Sequence, residues 1–597
     1  MSRFRLVPAR VRGRFATVIG GTLLCLGVLT APAAAQLPTT DDPRVGLAAG
    51  FDNPGVAKQG LDLTAHSNKP GGFFDPANLG SIAFANSDLA FQGDHAFVGN
   101  FNGFNIYNIA NPATPTLRTS VVCPGGQGDL SVYGNLLFMS VEENRAKIDC
   151  TLTPAADATT RFRGVRIFDI SNLGAPVQVG AVQTCRGSHT HTLVTDPDDA
   201  ANVYIYVQGT AGVRPAAELA GCDGNNTNTP TGEDPSKWRI EVIKVPVARP
   251  QDAAVVSAPR LFADASGAVN GLQNAVPAPT HPSGMAWGPT PITDACHDIT
   301  VYPELEIAAG ACEGNGLLID ISDPAHPERL DAVADPLYAY WHGATFSNDG
   351  KTVVFTDEWG GGTAARCRAT DQLSWGGDSI YDIVDGKLEF RSYYKVPMVQ
   401  TTQENCVSHI PSLVPVPGRD IFVQAWYQGG ASLVDFTDSS NPHEIGFYDR
   451  GPISASSLVL GGLWSTYWYN GDTYGSEIAR GFDVWGLTAT DQLSENEIEA
   501  AREVQVDRLN VQHQDRITWA PSFAVAWSYA DQAERAGDLS GDLLAQVHEF
   551  LERAERFTSG PRAKAAKANL FALAQTLKEF PELADLAAAL EDLSEAP

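Results

Sequence analysis

The sequence predicts a mainly β protein: a β-propeller of about seven blades, closed by an N-terminal strand and followed by a C-terminal α-helical bundle. Three observations predict it. A strand-and-turn signature recurs between residues 56 and 490, apolar residues there fall in short blocks rather than at helical spacing, and the composition changes after Leu487. Short apolar blocks bounded by turn residues are the mark of strands buried on both faces. One small sheet cannot bury both faces by itself, so repeated sheets have to stack around an axis.

Taken in order, residues 1–35 read as a signal peptide. Arg3, Arg5, Arg10, Arg12 and Arg14 form its basic stretch, Ala16 to Leu29 its apolar stretch, and Ala33-Ala34-Ala35 before Gln36 its cleavage site. The apolar run falls short of a membrane span. Export is therefore expected, to the periplasm, the cell surface or the medium, with no stable membrane insertion after cleavage. Residues 36–55 read as a linker. Gly60 to His66 is a short strand without a blade of its own, and the last blade, Trp464 to Leu487, supplies three strands. Pairing the first with the last closes the ring and removes its open edges. First strands are expected near Leu89, Leu130, Thr192, Thr300, Thr345, Ser412 and Thr466, in a propeller domain over residues 56–490. Cys222 to Lys237, rich in Asn, Thr, Gly and Pro, reads as a surface loop. Residues 491–597 read as a helical domain. Ser494 and Glu497 form a capping box, and helical spacing runs through Phe523–Ala536, Leu543–Phe557, Ala563–Phe580 and Leu583–Leu593. Gln512 to Arg516 reads as a connector.

The clearest copy of the repeat is Gly316-Leu317-Leu318-Ile319-Asp320-Ile321-Ser322-Asp323-Pro324, with Pro327 closing the turn. Gly103 to Pro112, Gly164 to Asn172 and Ala431 to Asp438 repeat it, and Asp378 to Gly386 is a looser copy. In these residues the chain resembles the LVIVD-repeat proteins, secreted or surface β-propellers mostly without assigned activity. The resemblance covers roughly residues 56–487. It implies a propeller fold and an exported binding or interaction module, and it leaves the ligand, protein or small molecule, unnamed.

The formal charge is −29 over 597 residues, and removing the signal's five arginines makes it more negative by five. That field repels phosphate, which argues against nucleic acid and anionic membranes as partners. Eight of the nine cysteines follow the signal: Cys123, Cys150, Cys185, Cys222, Cys296, Cys312, Cys367 and Cys406. An even set in an exported chain predicts disulfides, and pairing them in sequential order is the simplest of the connectivities.

Four histidines share one position in the repeat. His189, His297, His342 and His409 each stand three residues before a Ser or Thr, namely Thr192, Thr300, Thr345 and Ser412, at the entrance to a first strand. First strands line a propeller's axis, so these imidazoles converge on one channel mouth. A ring of neutral imidazoles suits one transition metal, Fe, Cu or Zn. His191, Asp298, Asp357, Glu358 and Glu404 are placed to act as further ligands or as acceptors that fix the imidazole tautomers. The competing expectation is that each His bonds the Ser or Thr of its own blade and locks strands together. In the first two blades the position is Ser87 or Gly128, so the ring is one-sided. The pattern is architecturally similar to carotenoid cleavage oxygenases and to selenium-binding/methanethiol oxidase proteins, which hold metal with propeller histidines. That likeness implies, as the alternative to a binding module, a metal-dependent oxidase or oxygenase. No P-loop, GxGxxG, GxSxG or HExxH motif occurs.

Overall fold

The structure, a computed structural model, describes residues 38–153, 155, 159–223, 235–274, 290, 292–557 and 559–596. The expected signal peptide and most of the Cys222 to Lys237 loop lie outside these residues. Seven antiparallel sheets follow one another along the chain, each running from an inner strand at the axis to an outer one. The inner strands of blades one to seven are Asn86–Gln92, Leu130–Tyr133, His191–Thr195, Asp298–Tyr302, Trp341–Phe346, Pro411–Val414 and Leu463–Tyr469. All seven fall at the positions the repeat predicts. Leu61–Asn68 is the fourth strand of blade seven, pairing antiparallel with Gly481–Leu487 from Leu61 opposite Leu487 to Asn68 opposite Gly481. The ring is closed by the N-terminal strand, as expected. One further strand was not foreseen: Val56–Gln59 adds a fifth, outermost strand to blade six, beside His443–Arg450.

The period-2 pattern explains how the blades pack. In Leu136–Val141 of blade two, Leu137 and Met139 face blade one, where they meet Phe97, Phe104 and Ile106. Leu136 and Phe138 face the other way and meet Leu193, Val203 and Ile205 of blade three. Every middle strand thus serves two seams, which is why it reads as an unbroken apolar block. The last seam joins blade seven to blade one through Tyr474, Phe482 and Val484 against Leu89, Phe91 and Val98, so the packing has no gap around the ring.

The polar half of the repeat has its own cause. In blade four, Asp320 accepts from Ser322 N at 2.8 Å and Asp323 from Ala325 N at 2.9 Å. The same two successive turns form at Asp169 and Asn172, and again at Asp435 and Asp438. Side-chain oxygens stand in for the backbone acceptors that a reversal lacks. All four disulfides follow the sequential order: Cys123–Cys150, Cys185–Cys222, Cys296–Cys312 and Cys367–Cys406.

After the propeller, helix α1 (Glu495–Arg502) starts on the predicted capping box, with Glu497 N donating to Ser494 Oγ and Ser494 N to Glu497 Oε2. Its Ile498 and Ala501 pack with Trp468 and Trp485 against blades six and seven. Helices α2 (Phe523–Ala536), α3 (Gly541–Arg556), α4 (Gly560–Leu577) and α5 (Ala584–Glu595) form the bundle, packed through Ala526, Leu551, Leu570 and Leu590.

The segment between α1 and α2 is more than the connector the sequence suggests. Arg508–Asn510 pairs with the inner strand of blade one, and Asn510 bonds both the N–H and the carbonyl of Val132 in blade two. His513 Nδ1 meets Leu193 O of blade three. Gln512 O and Gln514 N bracket Val301 of blade four, and the Gln514 amide brackets Phe346 of blade five. This strap crosses five inner strands in turn and plugs the axis at one end.

Candidate functional site

The histidines gather at the entrance to the inner strands, where the ring's rotation brings equivalent positions together. Their threonine neighbours do not bond them. Thr192 Oγ1 donates to Ile299 O, Thr300 Oγ1 to Ala344 O at 2.7 Å, and Thr345 Oγ1 to Pro411 O at 2.8 Å, each reaching the next blade's backbone. The hydroxyls tie blade to blade and leave the imidazoles free for something else. Gly343, beside His342, permits the close approach: a Cβ there would lie 2.6 Å from Ile410 Cγ1 of the next blade. Gly128 explains why blade two lacks the His, since its φ is +65° and a Cβ would lie 2.5 Å from Asn100 O.

Four rings form a continuous arc. Ring centroids stand 4.7 Å apart for His189 and His297, 3.7 Å for His297 and His342, and 4.3 Å for His342 and His409. His189 Nδ1 is 2.8 Å from Glu142 Oε1. His297 Nδ1 is 3.0 Å from Asp298 Oδ2, and His342 Nδ1 is 4.0 Å from the same oxygen. On its other side His342 Nε2 faces Glu358 Oε2 at 3.8 Å. Glu358 Oε1 in turn accepts from the Tyr427 hydroxyl, and the ring of Trp464 lies 5.5 Å from that of His409. His342 and His409 are 1% and 2% exposed. Among the described residues, neither nitrogen of either ring has a hydrogen-bond partner.

The electrostatics divide the arc. Burial works against a charged His189, and the Glu142 carboxylate outweighs it, so His189 stands above the ordinary imidazole value. Burial, then the neighbouring histidines, holds His297, His342 and His409 well below it, so all three are neutral and able to donate lone pairs. Burial lifts Glu358 to about 7 against the pull of the Tyr427 hydrogen bond. Burial and then the charge of Asp129 push Asp298 well above the carboxylate range. Two sets of donors each lie within 4.8 Å of one another: His297, Asp298 and His342, and His342, Glu358 and His409.

The remaining candidates lie elsewhere. His191 is fully engaged, with Nε2 2.7 Å from Ser131 Oγ and Nδ1 2.8 Å from Ser140 Oγ and 3.1 Å from Asp129 Oδ2. These partners belong to blade two, so His191 ties two neighbouring blades together and does not lock strands within its own blade. Asp357 is held by the N–H groups of Ala339, Tyr340 and Gly376 and caps its own blade. Glu404 accepts from Thr401 N and Oγ1 in a local turn. Sequence reasoning missed Glu142 and Tyr427. Each sits in a loop after a second strand, outside the repeated signature, and only the spacing of second-strand ends could have pointed to them.

The LVIVD-repeat family model matches residues 85–122 and 311–333, which hold blade one and the last two strands of blade four. No curated protein matches the chain. Among solved structures, the chain is similar to hydrazine synthase of Kuenenia stuttgartiensis at 11% identity and a TM-score of 0.39, over 67% of this chain and 93% of that one. It is similar to a protein from Lactobacillus plantarum at 13% identity and a TM-score of 0.36, over 60% and 83%. It is also similar to the computationally designed Ika8 protein at 10% identity and a TM-score of 0.33, over 68% and 96%. The chain carries LVIVD repeats on a seven-bladed propeller, an architecture common among interaction modules. Among the described residues, no helix is long and apolar enough to cross a membrane.

Proposed function

We propose that this protein is an exported propeller module whose ligand is a transition-metal ion, held at the axial mouth by His342, Glu358 and His409. One observation carries the reading: two adjacent imidazoles, almost fully buried, have all four nitrogens without a partner among the described residues and face a carboxylate. Leaving a buried polar atom unsatisfied costs about 1–3 kcal/mol. A chain that satisfies His191 with two hydroxyls and an aspartate, yet leaves these rings bare, is arranged for an ion. Neutral imidazoles and one carboxylate suit Fe, Cu or Zn. Glu142 and Asp298 lie against His189 and His297, the next two rings of the arc. The four disulfides support an oxidising compartment and hence export.

The test is metal content. Protein made without an affinity histidine tag is stripped, incubated with Fe(II), Cu(II) or Zn(II), gel-filtered and assayed by elemental analysis. At least one ion per chain is expected, and His409→Ala and Glu358→Gln should each hold one ion fewer than the wild type while the far-ultraviolet circular dichroism is unchanged. No retained ion with any of the three metals overturns the reading. A metal-dependent oxidase is the second reading, favoured by the Tyr427 hydroxyl on Glu358 and by Trp464 beside His409, which place oxidisable rings against the centre. Oxygen uptake by the Fe- or Cu-loaded protein with phenolic or thiol donors separates it from a purely binding role.

A further inference from the structure

The donors at the mouth do not collapse onto a single point. Ligands of one ion at about 2.0–2.2 Å lie within roughly 4.4 Å of each other, so they would all belong to one group. Here they divide into two groups that share His342 and nothing else. The division runs through the imidazole itself: Nδ1 faces Asp298 on the side of His297, and Nε2 faces Glu358 on the side of His409. Both nitrogens are buried and, among the described residues, without a partner. Asp298 Oδ1 is likewise buried and unpartnered.

Buried carboxyl groups cluster on the His297 side. Asp298 is fully buried, and Asp129 and Asp88 are no more than 3% exposed. Among the described residues, none of the three pairs with a lysine or arginine. Asp88 is bonded instead by Ser465, Tyr467 and, from the strap, Gln512. Hydrogen bonds of this kind soften a buried carboxylate but do not neutralise it.

We propose that the mouth holds two divalent metal ions bridged by the His342 imidazole, an outer one on His342, Glu358 and His409 and an inner one on His297, Asp298 and His342. This rests on the single-ion reading above and adds the second position. Binding of the two ions releases to solvent the carboxyl protons of Asp298 and Glu358 together with the remaining N–H proton of His342, so the bridge is an imidazolate. Two divalent ions then leave a small positive excess over Asp298, Glu358 and the imidazolate, and Asp129 and Asp88 lie where they offset it. Ions that accept imidazole and carboxylate together, Cu(II) and Zn(II), are the class that fits.

The experiment uses the full-length untagged protein, stripped and reloaded with Cu(II) or with Zn(II). Two ions per chain are expected. The di-Cu(II) form should show an electron paramagnetic resonance signal well below the intensity of two isolated ions, because an imidazolate couples their spins. His297→Ala and His409→Ala should each bind one ion and give an uncoupled spectrum. The isosteric Asp298→Asn should weaken the second ion by 10-fold or more and leave the first in place. One ion in the wild type, unchanged in His297→Ala, overturns the bridge and leaves the single-ion reading standing, whereas no ion at all overturns both. Two ions with no coupling, or two in His297→Ala, also overturn it.

Discussion

Replacing Asn510 by Ala removes the link between the strap and blade two. The Asn510 side chain accepts from Val132 N at 2.8 Å and donates to Val132 O at 3.0 Å, and the residue is 3% exposed. In effect one amide replaces a missing strand neighbour for Val132. Alanine leaves both backbone groups buried and unpaired at about 1–3 kcal/mol each, so the expected loss is about 2–6 kcal/mol. Against a domain stability of about 5–15 kcal/mol this is a large fraction. Urea unfolding followed by tryptophan fluorescence reads it as a fall in midpoint at unchanged slope. Asn510→Asp is the internal control, since it keeps the acceptor for Val132 N and loses the donor to Val132 O, and should give at least half the effect. If Asn510→Ala unfolds within 0.5 kcal/mol of the wild type, the strap is not a structural part of the ring.

Burial holds the Asp378 carboxyl up to about 8, with hydrogen bonds from Ser408 and Gln424 pulling it down less strongly. The folded chain therefore keeps a proton that the unfolded chain releases near pH 4, and stability falls as pH rises from about 4 to about 8, by up to about 1.4 kcal/mol per pH unit. Asp378→Asn should flatten this slope, and a slope identical to wild type would sink the assignment. Thr300→Val, which deletes the hydroxyl bonded to Ala344 O, should cost about 1 kcal/mol without altering metal content; an unchanged melting temperature would show that the hydroxyls do not hold blade to blade. Cys296→Ser with Cys312→Ser opens a loop of sequence separation 16, for an expected loss of about 3 kcal/mol. Because Cys296 adjoins His297, this pair should also release metal faster, and dissociation at the wild-type rate would contradict that.

What the sequence made legible depended on repetition. The Asp and Asn turns recur because each blade must reverse the chain at the same point, and the alternating middle strands recur because each serves two seams. Reading them located every inner strand and put the four histidines at one mouth. Residues that act once left no such trace. Val56–Gln59 is four residues long and largely exposed, so no apolar block marked it as a strand. The strap, Arg508 to Ile517, bonds through Asn, Gln and His side chains, which in a sequence look like any polar linker. Asp298 opens an inner strand and lies against His297, whereas Asp357 ends a second strand and is held by backbone N–H groups of its own blade, a difference that the residue type alone does not show.

Closing the ring with Leu61–Asn68 also fixes the order in which the molecule can be completed. That strand leaves the ribosome early, while its partner Gly481–Leu487 follows roughly 400 residues later, which at about 5–20 residues per second is a wait of some 20–80 s. Until then blade seven lacks the three strands between Leu463 and Leu487, and the N-terminal strand is an unpaired edge carried by a growing chain. The strap is made later still, so the axis is sealed only after the circle exists. A chain whose first and last pieces depend on each other in this way gains from being kept unfolded until synthesis is finished, which is the state in which a polypeptide crosses a membrane through a narrow translocation channel.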